Sequence, residues 1–200
     1  MFSIRLRARL WEIGLAASVI FFVWLFQSNV LTRLSFAGLM CNLPLTFTIV
    51  WATVFGSRLA PLTADNFRLL SLNEIIAYQA VSGSLSGALI GAIFASLYSS
   101  VLPVFPISYP LIGWIAGYFS LKKMNQAQFL TIPIVLFASV LAEAFMAIQL
   151  YLLGRPEIIS RFIDAALPEA VMNALIAPWI YLPMRSWYEF RTTKQVAGIK

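Results

Sequence analysis

Few side chains in this sequence could do chemistry, and their types narrow what that chemistry could be. The 200 residues include no histidine and one cysteine, Cys41. That removes imidazole-based triads, Cys/His zinc sites, imidazole-ligated haem and disulfide frameworks. Glu143 is the acidic residue set well inside an apolar run, at a depth where an ionisable group is costly enough to mark a site. Its candidate partners are Gln149, nearly two turns further on, and Asn173 in the last apolar run. A carboxyl there would hydrogen-bond across helices, fixing their packing or contacting a partner helix. A proton relay would need several titratable groups in series, and no second one lies at comparable depth.

The other patterned residues carry no reactive group. Gly83, Gly87 and Gly91 recur every four residues, Ala95 and Ser99 continue the series, and Gly113 and Gly117 form a second Gly-x-x-x-Gly pair. On a helix each series is a groove without large side chains, and Ile90 is expected to lie off that face. Helices in lipid associate through such close approaches, so the groove is a seat either for another span of this chain or for a partner's helix. There is no Gly-x-x-x-x-Gly-Lys phosphate loop, no Asp-rich metal motif and no Gly-x-Ser-x-Gly elbow. Catalytic residues, cofactor sites and metal ligands are accordingly not expected, and the chain reads as a non-enzyme.

The elements that hold these residues follow from composition. Hydrophobic residues make up 60% of the chain and charged residues 11%, with a mean hydropathy of +0.84, far too apolar for a water-soluble core to absorb. A helix crossing hydrocarbon needs about 20 mostly apolar residues. Six stretches meet or approach that: Leu10 to Gln27, Gly38 to Phe55, Gln79 to Val101, Ile107 to Leu121, Gln128 to Leu153 and Pro168 to Met184. The fold class is therefore all-α, a polytopic six-helix transmembrane bundle forming one domain over residues 1–200. The fourth stretch is short, and Pro103, Pro106 and Pro110 predict an irregular start to it, so five full spans is the alternative. The first run is expected to be a retained helix, because it exceeds a signal-peptide core and lacks a small-x-small cleavage site.

Orientation follows from the basic residues. With six spans, Arg5, Arg7, Arg9, Arg58, Arg68, Lys122, Lys123, Arg185, Arg191, Lys194 and Lys200 share one side, and Arg33, Arg155 and Arg161 the other. Both termini are thereby expected in the cytoplasm of a cytoplasmic (inner) membrane. The net charge of +6 is scattered over several loops, which fits anionic lipid and not nucleic acid.

Residues 157–166 read as a short amphipathic helix on the outer surface, lying in the headgroup layer or docking a partner. A weaker signal of the same kind spans Thr63 to Tyr78. Pro44, Pro133, Pro178 and Pro183 are expected within spans, as packing features or kinks. Trp11, Trp24, Tyr109, Tyr118, Tyr151, Tyr181, Trp187 and Tyr188 fall near span ends, as interfacial aromatic belts would.

The stretch Leu167-Pro168-Glu169-Ala170-Val171-Met172-Asn173-Ala174-Leu175-Ile176-Ala177-Pro178-Trp179-Ile180-Tyr181-Leu182-Pro183-Met184-Arg185 resembles the closing pattern of the MreD family, the rod shape-determining membrane proteins of the bacterial elongasome. The run from Gly83 to Gly91, followed by Gly113-Trp114-Ile115-Ala116-Gly117-Tyr118, is similar to that family's glycine-rich third and fourth spans. The chain departs from the family at Ala95-Ser96-Leu97-Tyr98-Ser99, where members often carry an acid. The resemblance implies a non-enzymatic scaffold of cell-shape control and peptidoglycan synthesis. Such a protein holds the transmembrane helix of an MreC-like single-span partner, near the peptidoglycan synthase pair, MreB filaments and their membrane adaptor. It also implies a six-helix fold like the substrate-binding S-components of energy-coupling-factor vitamin transporters, which supplies the alternative function.

Overall fold

The computed structural model describes residues 2–31, 33, 40–56, 71–99, 106–120, 128–155 and 158–197. Its helices are α1 (Phe2–Phe26, extended by a π-helical turn Gln27–Leu31), α2 (Leu43–Val54), α3 (Leu72–Ser82), α4 (Leu85–Ser99), α5 (Ser108–Ala116, then a 3-10 turn Gly117–Phe119), α6 (Thr131–Leu152) and α7 (Ile158–Ala197). Among the described residues there is no strand. Gly38, residues 63–70, Val101, Pro103, Leu121, Pro156 and Glu157 lie outside the described residues, as do Arg58, Arg68, Lys122, Lys123 and Lys200.

Among the described residues, three helical stretches are long and apolar enough to cross a membrane: Ile13–Leu31, Thr131–Leu152 and Asp164–Phe190. Large apolar side chains point outward from all three, including Phe22, Phe137, Leu175 and Trp179, so the bundle wears its hydrophobic surface on the outside as a membrane protein does.

The shorter apolar helices differ from the expected spans, each for a local reason. α2 is 12 residues, about 18 Å, and every residue from Pro44 to Val54 is buried. It is the centre of the bundle, touched by α1, α4, α5, α6 and α7. Asn42 caps its start and Pro44 occupies the first turn, where a proline's missing N–H costs nothing, so Pro44 begins the helix and does not kink it. Its threonines bury their hydroxyls by returning them to the helix: Thr46 Oγ1 donates to Asn42 O, Thr48 Oγ1 to Pro44 O and Thr53 Oγ1 to Val50 O.

The expected single span from Gln79 is broken at Gly83 and Ser84 into α3 and α4. The Trp114 side chain occupies the space a Gly83 Cβ would take, and Ser84 N donates to Trp114 O (3.0 Å). Ser84 Oγ then caps α4 by accepting from Gly87 N (2.9 Å), while α3 starts on a capping box between Ser71 and Glu74. α5 has nine residues, about 14 Å, well short of a full crossing.

The opposite error occurs at the last helix. The amphipathic helix expected over 157–166 and the stretch expected as a sixth span belong to one 40-residue helix, about 60 Å long, that continues through Pro168, Pro178 and Pro183. Each proline lacks one N–H, but breaking the helix would strand several backbone groups where no water can satisfy them, so continuity wins. One face of α7, with Ala166, Ala170, Ala174 and Ala177, is buried; among the described residues the most extensive helix pairing is that of α7 with α6, which buries Val135, Ser139 and Ala142. The opposite face, with Leu167, Val171, Leu175 and Trp179, is exposed.

Contacts between helices define two ends. At one, the C-terminal end of α1 meets the start of α2, and Asn173 of α7 joins them. At the other, Trp51 of α2 and Phe55 at its C-cap stack edge-on with Trp187 and Tyr188 of α7 at 5.7–5.8 Å. Tyr109 and Tyr181, expected in interfacial belts, are instead buried in the core.

An Ala174→Leu substitution should lower the melting temperature in detergent, through overpacking of about 1–3 kcal/mol against α6. Leu175→Ala, on the exposed face of the same turn, should leave it nearly unchanged.

Candidate functional site

The glycines come first, because they set how close α4 and α5 can lie. A Cβ added to Gly87 would meet Gly113 O and Ala52 Cβ at 2.5 Å, and one on Gly113 would strike the Gly87 backbone. Gly91 lies against the Tyr109 backbone and Gly117 against the Ser84 backbone in the same way. Gly83, Gly87, Gly91, Gly113 and Gly117 thus form one seam between two helices of this chain, with Ala95 fully buried at its far end. Of the two occupants the spacing allows, the one seated in this groove is the chain's own α5. Ile90 lies off the seam yet is buried; the exposed face of α4 carries Leu85, Leu89 and Ile93.

The second constellation is polar and sits at the end where α2 begins. The first N–H groups of any helix lack partners within the helix, and here they are deep in an apolar bundle. Asn42 N donates to Asn173 Oδ1 (2.7 Å), Leu43 N to Gln27 Oε1 (2.9 Å) and Leu45 N to Asn42 Oδ1 (3.2 Å). Pro44 has no N–H to satisfy, and Thr46 N reaches Asn42 O (3.0 Å). Three segments therefore cooperate to cap one buried helix. The π-helical turn carries Gln27, which is itself buried, and α7 carries Asn173, 1% exposed.

Asn173 is the hub. Its Oδ1 also accepts from the Cys41 thiol (3.2 Å), and its Nδ2 donates to Ser139 Oγ (3.2 Å) on α6. The Asn42 amide pairs in turn with the Tyr109 hydroxyl, 2.8 Å from Nδ2 and 3.0 Å from Oδ1. Asn173, expected as a partner for Glu143, is committed to these bonds instead. Gln149 Oε1 accepts from Ile107 N (3.3 Å) and so ties α6 to the start of α5. Glu143 of α6 and Glu169 of α7 are both half-buried.

Chemically this arrangement holds helices; nothing in it resembles a nucleophile activated by a base. Among the described residues no group of three or more His, Cys, Asp or Glu could hold a metal ion. Of the polar residues singled out in the sequence, Asn173 is at the hub and Gln149 is at the start of α5; Gln27, Cys41, Asn42, Ser139 and Tyr109, which complete the cluster, were not singled out as polar partners. The signal for Asn42 was present: an asparagine two residues before a proline is a helix-start pattern. Nothing in the sequence pairs it with a residue 131 positions away.

Gly87→Leu should abolish the folded bundle, since backbone lies on its Cβ position and cannot yield, whereas Leu89→Ala on the exposed face should be nearly silent by size-exclusion profile and melting temperature. Asn173→Leu should destabilise by several kcal/mol, because it leaves the Asn42 N–H and the Cys41 and Ser139 side chains without their shared partner, each loss being about 1–3 kcal/mol for a buried group. Comparison with protein-family models, with curated proteins and with solved structures finds no match.

Proposed function

We propose that the chain is a non-enzymatic integral-membrane scaffold of the MreD kind, serving the cell-shape and peptidoglycan elongation machinery. On this reading it sits in the cytoplasmic membrane with both termini inside. It holds the transmembrane helix of an MreC-like single-span protein, whose outer part engages the peptidoglycan synthase pair, and its inner side faces MreB filaments and their membrane adaptor. The observation that carries the reading is where the molecule places its commitments. The glycine seam, the alanine face of α7 and the polar hub are all spent on the chain's own helices, while the broad surfaces left over are apolar and outward. A protein so built acts through other membrane-crossing segments. The seam being closed, a partner helix would lie on the outward faces of α6 and α7, including Phe137, Leu175 and Trp179.

A second reading, a substrate-binding S-component of an energy-coupling-factor vitamin transporter, is favoured by the polar residues gathered at one end of the bundle. A small-molecule site takes its specificity from a few placed donors and acceptors, and Asn42, Tyr109, Gln149 and Asn173 are such groups. Their capping bonds argue for the scaffold, since a ligand would have to replace them.

Affinity purification of the full chain in mild detergent separates the two. Recovery with a single-span protein bearing a large extracytoplasmic domain is the expected result, and Trp179→Ala combined with Leu175→Ala should reduce that recovery without changing the melting temperature. Recovery with an ATPase pair, or with a tightly bound vitamin, would replace the scaffold by the transporter subunit.

A further inference from the structure

Buried polar groups are satisfied unevenly along α2. Around its start, Gln27, Asn42, Ser139 and Asn173 all have hydrogen-bond partners. Beyond its middle the balance changes: among the described residues the buried side-chain polar atoms with no hydrogen bond are Trp51 Nε1, the Tyr181 hydroxyl and Ser120 Oγ. Ser120 belongs to the α5 side, where its Cβ lies against Gly56. The other two belong to the pair of α2 and α7, and neither reaches solvent, Trp51 being 8% and Tyr181 1% exposed. Arg185, one turn past Tyr181 on the same face, has its Nε bound to Glu189 Oε1 (2.7 Å).

α2 and α7 lie side by side and run in one direction, from the bond between Asn42 N and Asn173 to the ring contacts of Phe55 with Trp187 and Tyr188. Between those two attachments α7 carries Pro178 and Pro183. Neither has an N–H, so Ala174 O and Trp179 O lose their helical donors, and a helix bends most cheaply where its ladder is interrupted. Before Pro178 the helix is fastened, because leaving α2 would strip the cap from Asn42 N. After it, leaving α2 costs a few edge-on ring contacts and gives two stranded donors access to water or headgroup oxygens. The two sides of Pro178 therefore have opposite balances.

We infer that the part of α7 from Pro178 onward is a two-position arm. In the closed position Trp187 and Tyr188 rest on Trp51 and Phe55, as in this structure. In the open position the arm has swung away from α2 about Pro178 while Asn173 stays in the hub. A ligand that binds one position better sets the arm, so the chain can respond at one end without undoing the cap at the other. The inference does not depend on the scaffold reading.

Double electron–electron resonance on the full chain in lipid nanodiscs tests this. Cys41 is buried, so spin labels go to introduced cysteines. Phe129→Cys with Phe190→Cys reports on the arm, and Ile148→Cys with Leu167→Cys on the fastened part of α7, all four positions being exposed. The first pair should show two distances and the second pair one. Tyr181→Phe keeps the ring and removes the stranded hydroxyl, so the open fraction should fall about fivefold and the melting temperature should rise. Pro178→Ala restores a backbone donor and should also deplete the open position. A single distance for the first pair, two for the second, or an open fraction unchanged in either variant overturns the arm. So does a lower melting temperature for Tyr181→Phe, which would mean that a water inside the closed bundle holds the hydroxyl.

Discussion

A helix that begins inside an apolar bundle must find partners for its first N–H groups, and the start of α2 is where this structure meets that demand. Each buried donor left unmet costs about 1–3 kcal/mol. The solution brings Gln27 from the π-helical turn, Asn173 from α7 and the Asn42 side chain itself to three successive donors, with Pro44 supplying a position that needs none. The wide π-helical turn and the polar residue in the middle of a long apolar helix both acquire a reason from this. Remove either, and the central helix has no competent beginning.

The remaining architecture arranges itself around that short central element. α2 is too short to cross hydrocarbon and is enclosed by the longer helices, with its C-terminal end held by the ring cluster of Trp51, Phe55, Trp187 and Tyr188. α5 is shorter still, and it can lie beside α2 because Gly87 and Gly113 let α4 and α5 approach to backbone contact. On the other side α7 packs against α6, with Ala166, Ala170, Ala174 and Ala177 on its buried face. Close packing is the main attractive term available between helices in lipid, where apolar burial alone gains nothing. Small residues therefore sit where α4 and α5 approach most closely and on the buried face of α7, while large rings hold the ends of α2 and α7 together.

Much of this was legible beforehand, for identifiable reasons. Composition announced a membrane protein because so much apolar surface has no other solvent. The four-residue repeat of Gly83, Gly87 and Gly91 announced close packing because it matches the helical period, and the depth of Asn173 announced a polar contact because an unpaired amide is costly there. The alanine series of α7 was equally periodic, but alanine is so common in helices that its spacing carries little signal. Hydropathy could not distinguish a helix surrounded by lipid from one surrounded by protein, since both are apolar on all sides. Hence α2 read as a spanning helix when it is a core one.

By itself the sequence determined the solvent of the molecule, the helical class of its backbone, and which short-range patterns had to be close-packed or hydrogen-bonded, because these depend on composition and on periods of a few residues. Only the tertiary structure decided who fills each groove and who satisfies each buried donor. Asn42 meets Asn173 across 131 positions, Trp114 breaks the chain at Gly83, and α7 stays whole through Pro168. Those outcomes weigh one local cost against contacts from distant parts of the chain, and the balance exists only once the helices are side by side.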